Sequence, residues 1–341
     1  MVTLEDAQAS NAKIATTLPS GMVAVFVGGT SGIGEHTLKR FAEHTKSPLI
    51  YLVGRSREAA DRITSECARL NPDGRYIFIQ SDVSLLNNVS QVCERILSET
   101  KTVNLLFQTQ GGLQIDTIPS GTTEGLTKAY VLPVTSRILF ALSLLPALQR
   151  ASGLRRVVSV FAAGHEGPFG ADDWSGYASR HPLGARGHLA SMITMAHSVL
   201  ARRAPEVSFV HNFPGAVKTP FGKDATGAMV VVRAALALLG PLLLKFRPPE
   251  ESSVLQLYCA TSAAFPPATG EAAGIPLAEG TAVSVGSGGR PGSGSYNVGE
   301  VCERVSEGVE KRMVEARENG VEDRLWAHLV GEVKEITGKV Y

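Results

Sequence analysis

The chain has 341 residues, enough for one large domain or two small ones, and its 33 lysine and arginine residues nearly balance 32 aspartate and glutamate residues. A formal net charge of +1 argues against a general nucleic-acid-binding protein or a protein that binds anionic membranes. With 44% hydrophobic and 19% charged residues, the composition excludes a disordered chain and is typical of a soluble globular protein.

The cysteines, the N-terminal residues and the most apolar segment indicate where in the cell we expect the protein. The four cysteines are widely spaced and form no CxxC pair, so we expect free thiols in a reducing, cytoplasmic compartment. Residues 1–20 form a charged N-terminal tail without the apolar stretch of a secretory signal. The run Ala228–Phe246 approaches the length of a membrane span, but Arg233 and Pro241 interrupt it. We interpret it as a buried or lid helix and predict no membrane span; the alternative is peripheral membrane contact.

Short apolar runs alternate with helical patterns along the chain. The predicted strands are Met22–Val27, Leu49–Val53, Tyr76–Ile79, Val103–Phe107, Arg156–Val160, Val207–His211 and Ala282–Val285. Nearly continuous apolar strands separated by helix-length segments are typical of buried parallel sheets built from βαβ units. The sequence therefore predicts an α/β fold, a Rossmann-type doubly wound parallel sheet.

The C-terminal part of the chain has a different composition. Gly286–Ser295 reads GSGGRPGSGS, which indicates a flexible loop. Beyond it, Val298–Ala316 and Val321–Ile336 have the pattern of charged amphipathic helices. We predict a dinucleotide-binding domain over residues 21–290, with 291–341 as a helical extension packed on the same domain.

A Gly-rich segment follows the first predicted strand and opens a helix. Residues 28–34 read GGTSGIG, in which the glycines have the spacing G-x-x-x-G-x-G. Gly28 permits a tight turn, Gly32 lets the backbone approach a pyrophosphate, and Gly34 lets the helix pack closely. The phosphates would then lie at a helix N-terminus, where free N–H groups and the helix dipole favour an anion. The alternative is a purely structural glycine turn. The predicted cofactor-binding residues of this turn are Gly28, Thr30, Ser31, Gly32 and Gly34.

The residues after the second and third strands predict which dinucleotide binds. An acidic residue there would bind the ribose 2′-hydroxyl of NAD, but the chain has Arg55. Because a guanidinium pairs bidentately with phosphate, Arg55 favours the 2′-phosphate of NADP(H). The alternative for Arg55 is a solvated loop arginine. After the third strand, Asp82 and Val83 are predicted at the adenine, where the Asp82 carboxylate would accept a hydrogen bond from the adenine amino group.

These segments resemble the short-chain dehydrogenase/reductase family over roughly residues 23–287. The resemblance is carried by the Gly-rich turn, by Glu124–Leu126, by Arg156–Val160 and by Pro214–Thr219. Within the family the chain is most similar to fungal members related to retinol dehydrogenases, often found in secondary metabolism. The resemblance implies that Ile33 packs against the cofactor and that Gly111 lies in the family's fingerprint after the fourth strand. It also implies contacts near the nicotinamide by Pro214, Gly215, Val217 and Thr219, with Thr219 at the carboxamide.

The family's catalytic residues are replaced in this chain. In the family, a tyrosine exchanges the substrate proton, a lysine lowers that tyrosine's pKa, a serine orients the carbonyl and an asparagine supports the proton path. By spacing, the asparagine position holds Pro133, the serine position falls in Phe161–Ala163, the tyrosine position holds Gly184 and the lysine position holds His188. The fingerprint Asn-Asn-Ala-Gly is replaced by Thr109–Gly112.

Three residues are predicted to replace the missing groups. His188 occupies the lysine position and, as a histidine, can serve as acid, base or ribose ligand. His165 follows the fifth strand at its carboxyl end, where open α/β sheets bind ligands. Tyr177 lies in the loop before the helix and could turn into the site. For each of them the alternative is an ordinary surface or capping role. No metal-ligand spacing is present, so we predict no metal site.

Three functions follow from this pattern. The first is an NADP(H)-dependent oxidoreductase acting on a hydrophobic small molecule with an atypical proton donor, for which reduction of a C=C or C=N bond needs least help at oxygen. The second is a non-redox isomerase, dehydratase or cyclase on the same scaffold. The third is a catalytically inactive cofactor-binding module. The resemblance also implies a homodimer, formed through the helices predicted over Thr123–Gln149 and Ala185–Ala204.

Overall fold

The protein folds around one parallel sheet. The computed structural model describes residues 2–112, 122–168, 173–175, 182–220, 234 and 245–341. Seven strands lie in the order β3-β2-β1-β4-β5-β6-β7, and every neighbouring pair is parallel. The strands are β1 Val23–Val27, β2 Leu49–Gly54, β3 Arg75–Gln80, β4 Leu105–Gln108, β5 Arg156–Val160, β6 Ser208–Asn212 and β7 Ser295–Val298. The predicted Rossmann-type doubly wound sheet is confirmed.

Helices cover both faces of the sheet. They are α1 Leu4–Asn11, α2 Ile14–Thr17, α3 Gly32–His44, α4 Arg57–Leu70, α5 Leu86–Glu99, α6 Lys128–Val131, α7 Thr135–Gln149, α8 Pro182–Arg203, α9 Pro249–Thr261, α10 Glu307–Glu318 and α11 Val321–Thr337. Alternate residues of a strand point to opposite faces, so Val25 of β1 joins the core under α5, α7 and α8 while Phe26 joins the core under α3 and α9. None of the described helices has the length and apolarity needed to cross a membrane.

β1 and β4 are neighbours in the sheet, and the strand order reverses between them. From β1 the chain continues toward one edge of the sheet, and from β4 it continues toward the other edge. Val27 is in register with Val53 of β2 and with Gln108 of β4, so these strands end at the same edge. Open α/β sheets bind ligands in the crevice outside the carboxyl ends of the strands at such a point. The fold therefore places the Gly-rich turn at the expected site.

The predicted seventh strand is wrong. The structure forms β7 at Ser295–Val298, after the Gly-rich loop, and not at Ala282–Val285. The sequence SYNV alternates polar and apolar residues and so lacks the apolar run used to predict buried strands. Its polar members are buried nevertheless: Ser295 Oγ accepts a hydrogen bond from the Ser287 hydroxyl, and Asn297 Oδ1 lies 3.2 Å from Thr194 Oγ1. The following helix accordingly begins at Glu307 rather than at Val298.

One helical prediction is corrected and another is confirmed. The helix predicted over Thr123–Gln149 is divided into α6 and α7, with Pro133 between them. Proline lacks the N–H that a continuous helix needs and clashes with the preceding turn. The predicted C-terminal helix is present as α11, which packs against α5, α7 and α8 and buries Leu325, Leu329 and Val333.

Candidate active site

The Gly-rich segment forms a tight turn between β1 and α3. The backbone of Gly28 has φ of +79° and that of Gly32 has φ of +57°, in the left-handed region. A Cβ on Gly34 would lie 2.6 Å from Thr109 Oγ1 and 2.7 Å from the carbonyl oxygen of Gly28. The turn therefore has the steric form that a dinucleotide-binding turn requires.

The N-terminus of α3 opens into a cavity of about 310 Å³. The N-cap residue Ser31 makes no side-chain capping bond, so the first N–H groups of this 13-residue helix are not capped by a side chain. The cavity lining includes Thr30, Ser31, Gly32 and Thr219, four predicted cofactor residues from two distant segments. An anionic diphosphate fits this arrangement, because N–H donors and the helix dipole meet at one open pocket.

Glu35 and Arg62 in the cavity wall pair with each other. Arg62 donates to the two Glu35 carboxylate oxygens at 2.7 and 2.9 Å, and Lys39 Nζ donates at 2.6 Å. Burial alone would raise the pKa of Glu35, but the hydrogen bonds from Arg62 and Lys39 outweigh it and hold the pKa below its ordinary value. Arg62 is committed to this pair, and the predicted ligand of the 2′-phosphate is Arg55.

Arg55 and Asp82 lie at the same edge of the sheet. Arg55 is exposed directly after β2, and Asp82 follows β3 and accepts a hydrogen bond from Ser84 N at 3.0 Å. Burial would raise the pKa of Asp82, but the bonds from Ser84 and the charges of Lys128 and Arg55 hold it below its ordinary value. The neighbouring Val83 is buried.

The segment after β6 reaches back to the Gly-rich turn. Phe213 N donates to Val298 O at 2.9 Å, and Gly215, with φ of +74°, lies against the side chain of Glu300. Val217 pairs with Arg247 in an isolated bridge. Thr219 then lies against Gly32, where a Cβ on the glycine would be 3.2 Å from Thr219 Cβ. Of the predicted set Pro214, Gly215, Val217 and Thr219, it is Thr219 that lines the cavity, and the other three belong to the segment that leads to it.

His188 is buried on α8, with 3% of its surface exposed. Its Nε2 lies 3.2 Å from the carbonyl oxygen of Trp174. Because a carbonyl only accepts, Nε2 carries the proton in the neutral ring and Nδ1 is the acceptor. Burial lowers the pKa of His188, although the bond to Trp174 and the charge of Asp173 oppose it. The side chain is therefore neutral at pH 7.

Of the other two predicted catalytic residues, His165 is described by the structure. His165 is exposed after β5, and its ring meets the Phe213 ring edge-on with 4.6 Å between centroids. Burial and the charge of Arg186 lower the pKa of His165. His165 and His188 thus contact different aromatic residues of the crevice. Tyr177 lies outside the described residues, and so does most of the run Ala228–Phe246.

Comparison with known proteins shows to which family the chain belongs. The model of the short chain dehydrogenase family matches residues 22–228, more than half of the chain. The chain belongs to this family. It is 37% identical over 322 residues to the oxidoreductase andH of Emericella variicolor, covering 94% of this chain and 93% of that protein. It is 28% identical to the short-chain dehydrogenase/reductase SAT2 of Stachybotrys chartarum, covering 94% and 95%.

Among solved structures, the NADPH dependent reductase YwfH, involved in bacilysin biosynthesis, matches the fold. The TM-score is 0.56 at 15% identity, covering 72% of this chain and 93% of that chain. At this identity the match shows the fold alone. Together with the fungal relatives, the family identifies the chain as an oxidoreductase of the short-chain dehydrogenase type, whose cofactors are NAD(P)(H) and whose substrates are small molecules.

This short-chain dehydrogenase has a buried polar stripe on α8 that the sequence predictions missed. His188, Ser191, Thr194 and His197 repeat every three residues, and all are buried. His197 Nε2 lies 3.2 Å from Ser159 Oγ of β5. Burial, with a smaller effect of the Arg137 charge, lowers the pKa of His197 to about 3, so this histidine is neutral. Polar residues at three-residue spacing in an apolar helix were the available signal.

A directed set of hydrogen bonds connects this stripe to the loop after β5. Ala162 N donates to His211 Nε2 at 3.2 Å, so the proton of the neutral His211 ring is on Nδ1. Nδ1 then donates to Thr194 Oγ1 at 2.9 Å, and the Thr194 hydroxyl donates to Glu166 Oε1 at 2.8 Å. These bonds fix the backbone of the loop after β5 at Ala162.

Arg137 is a second buried group that sequence reasoning missed. It has 1% exposure, and its guanidinium donates to the carbonyl oxygens of Gln108 at 3.1 Å and Gln110 at 2.7 Å. Burial lowers its pKa to about 9. The sequence did indicate that Arg137 is unusual, because it is the only charged residue in the α7 sequence. It holds the backbone at the end of β4, immediately before the exposed Gly111.

Replacing Glu166 with glutamine is expected to stabilise the protein at alkaline pH. Burial raises the pKa of Glu166, although the bond from Thr194 opposes this. Between the ordinary pKa and the raised one, the folded protein holds a proton that the unfolded chain has lost, so wild-type stability falls as pH rises through that range. Glutamine does not titrate. E166Q should therefore melt a few degrees above the wild type at pH 8, with a smaller difference at pH 5.

Melting curves at pH 5 and pH 8 check this expectation. The exposed Glu271→Gln serves as the matched control, since its side chain loses no buried charge. An E166Q difference that stays constant between the two pH values would show that the carboxyl is ionised in the folded protein throughout.

Proposed function

We propose that this enzyme is an NADP(H)-dependent oxidoreductase that acts on a hydrophobic small molecule in secondary-metabolite biosynthesis, with an atypical proton donor. The proposal rests mainly on one structural observation. The Gly-rich turn, the N-terminus of α3 and Thr219 meet at one cavity of about 310 Å³, which suits the pyrophosphate of a dinucleotide. Gly28, Thr30, Ser31, Gly32, Ile33 and Gly34 would hold the cofactor there.

The preference for NADP(H) rests on the residues after β2. Arg55 stands where NAD-binding sheets carry an acidic residue, and its charge is close enough to lower the pKa of Asp82. A guanidinium at this edge would bind the 2′-phosphate, and Asp82, Val83 and Gly111 would line the adenine side. YwfH, which shares the fold, is described as an NADPH dependent reductase.

The proposed role of His188 follows from its tautomer. Nε2 is bonded to Trp174 O, so the neutral ring carries its proton at Nε2 and is not the donor of a proton at neutral pH. His188 would bind a ribose hydroxyl through Nδ1 as acceptor, whereas the lysine of the family donates. The proton for reduction at oxygen would then come from His165, Tyr177 or water, and reduction of a C=C or C=N bond would need it least.

His188→Ala tests this role by binding alone. Loss of one hydrogen bond should weaken NADPH and NADH equally, by about 2–12-fold, because both carry the same nicotinamide ribose. Isothermal titration of both cofactors measures it, with His44→Ala at the end of α3 as control. Unequal effects on the two cofactors would place His188 at the adenosine end instead.

A deuterium label tests hydride transfer. Bound NADPH supplies a hydride from its nicotinamide, so NADPH deuterated at that carbon should pass the label to a product. Incubation with apolar ketones, enones and imines, followed by mass spectrometry, detects it. Binding of NADPH without label transfer, combined with an isomerised or dehydrated product, would favour the non-redox enzyme, for which the buried neutral His188 and the exposed His165 offer acid–base groups.

The remaining expectations concern assembly and location. The homodimer predicted through the α7 and α8 helices would have to use faces that α11 leaves open, because α11 packs on both helices and Arg202 of α8 pairs with Glu322 at 2.6 Å. A cytoplasmic location is our proposal as well; the four cysteines are buried free thiols, as a reducing compartment would keep them.

A further inference from the structure

Two cysteines that are far apart in sequence meet beside the carboxyl end of β6. Cys259 lies on α9 and Cys302 follows β7, and their sulfur atoms are 2.9 Å apart. A disulfide bond is about 2.05 Å long, so less than about 1 Å of movement separates the thiols from bonding. Cys67 and Cys93, the other thiols, are buried on α4 and α5.

Cys302 faces a cavity of about 380 Å³. Tyr258, Phe265, Glu303 and Arg304 also line it, so the lining combines aromatic and charged side chains. Cys302 has 6% exposure, whereas Cys259 behind it has none. A small reagent therefore reaches Cys302 first, and Cys259 can be reached only through it.

The backbone holds Cys302 in an unusual conformation. Its φ is +58°, in the left-handed region that a residue with a Cβ rarely adopts. Two backbone bonds maintain the turn, from Cys302 N to Gly299 O at 3.2 Å and from Gly299 N to Glu303 O at 2.8 Å. A strained backbone maintained by its surroundings is characteristic of functional positions, and here it directs the thiol at Cys259.

Asn212, the last residue of β6, connects both sides of this pair. Gln256 of α9 donates to Asn212 Oδ1 at 2.6 Å, and Asn212 Nδ2 donates to Gly299 O at 3.2 Å. A bond between the sulfurs would join α9 covalently to the loop after β7, on either side of the strand end that leads into Pro214.

We propose that Cys259 and Cys302 form a reversible disulfide with a low-molecular-weight disulfide such as oxidised glutathione as the oxidant. The Cys302 thiolate attacks one glutathione sulfur and expels one glutathione thiolate. The Cys259 thiolate then attacks Cys302 Sγ and expels the second. The protein loses two electrons and two protons, and one oxidised glutathione becomes two reduced molecules. The contact with Cys259 and burial raise the pKa of the Cys302 thiol, so the exchange is slow at pH 7 and the test is run at pH 8.5 over hours.

The experiment treats the folded full-length protein with oxidised glutathione and measures its intact mass. We expect a loss of about 2 Da, reversed by dithiothreitol, and a linked peptide pair containing Cys259 and Cys302. The oxidised protein should melt about 3–6 °C higher, because the new bond closes a long loop in the unfolded chain. Cys67→Ser should behave as the wild type.

Cys259→Ala tests the order in which the two thiols react. Without the second thiol, the glutathione adduct on Cys302 should persist, as a gain of about 305 Da. Cys302→Ser should remain unmodified at Cys259. An unchanged wild-type mass, a lasting adduct on the wild type, or a linkage through another cysteine would each overturn the proposal. None of these readouts involves NADPH, so they are independent of the proposed function.

Discussion

Gly34→Ala is expected to destabilise the protein by about 1–3 kcal/mol and to weaken NADPH binding at least about tenfold. The added methyl group would lie 2.7 Å from Gly28 O and 3.0 Å from Gly29 Cα, which are backbone atoms. It would also lie 2.6 Å from Thr109 Oγ1, which donates to Val27 O at 3.2 Å or Gly28 O at 3.1 Å and is therefore held in place. Relief must come from moving the Gly-rich turn off the strand. Thermal melting and NADPH titration measure the two effects.

Gly112→Ala is the matched control. It lies near the same edge of the sheet, yet a Cβ there would meet no atom of the described residues within 4 Å. It should bind NADPH within about twofold of the wild type. If Gly34→Ala also bound NADPH normally, the turn would not be the phosphate site.

Arg55→Ala is expected to weaken NADPH binding about 10–100-fold while changing NADH binding less than about threefold. The 2′-phosphate distinguishes the two cofactors, and a charged bidentate hydrogen bond contributes about 1.5–3 kcal/mol. The ratio of the NADPH and NADH dissociation constants is the quantity to compare, because general damage to the site would weaken both cofactors equally and leave the ratio unchanged. Titration at fixed ionic strength is needed, since exposed charges are screened by salt.

Arg57→Ala supplies the control for this second result. Arg57 is exposed on the first turn of α4, where its guanidinium lies 4.7 Å from the Phe78 ring centroid. Its removal takes away an arginine two residues from Arg55 without touching the predicted phosphate position. Equal losses of NADPH affinity in both variants would indicate a diffuse electrostatic effect rather than a specific ligand.

The sheet could be predicted from sequence where its strands are continuous apolar runs. β1, β2 and β5 lie within about one residue of the predicted positions because buried parallel strands must be apolar on both faces. β7 could not be found in this way, because Ser295 and Asn297 are buried through partners that are distant in sequence. Burial of a polar residue depends on a tertiary partner, which a local pattern does not contain.

Some features of the candidate site could likewise be predicted from the sequence, and others could not. The glycine turn was predictable, since the steric demands on Gly28 and Gly34 follow from the strand–turn–helix pattern alone. The tautomer of His188 was not, because it is set by Trp174 O, which belongs to a separate loop. Likewise, Arg137 is recognisable as unusual in an apolar helix, but its task of holding Gln108 and Gln110 emerges only when β4 is in place.

Calorimetric titration of the wild-type protein with NADPH, with NADH in parallel, shows whether the cavity at the N-terminus of α3 binds NADP(H). We predict a micromolar dissociation constant for NADPH and binding of NADH at least about tenfold weaker, as expected if Arg55 binds the 2′-phosphate. Binding of neither cofactor would contradict the account, since the cavity at the N-terminus of α3 would then not be a dinucleotide site.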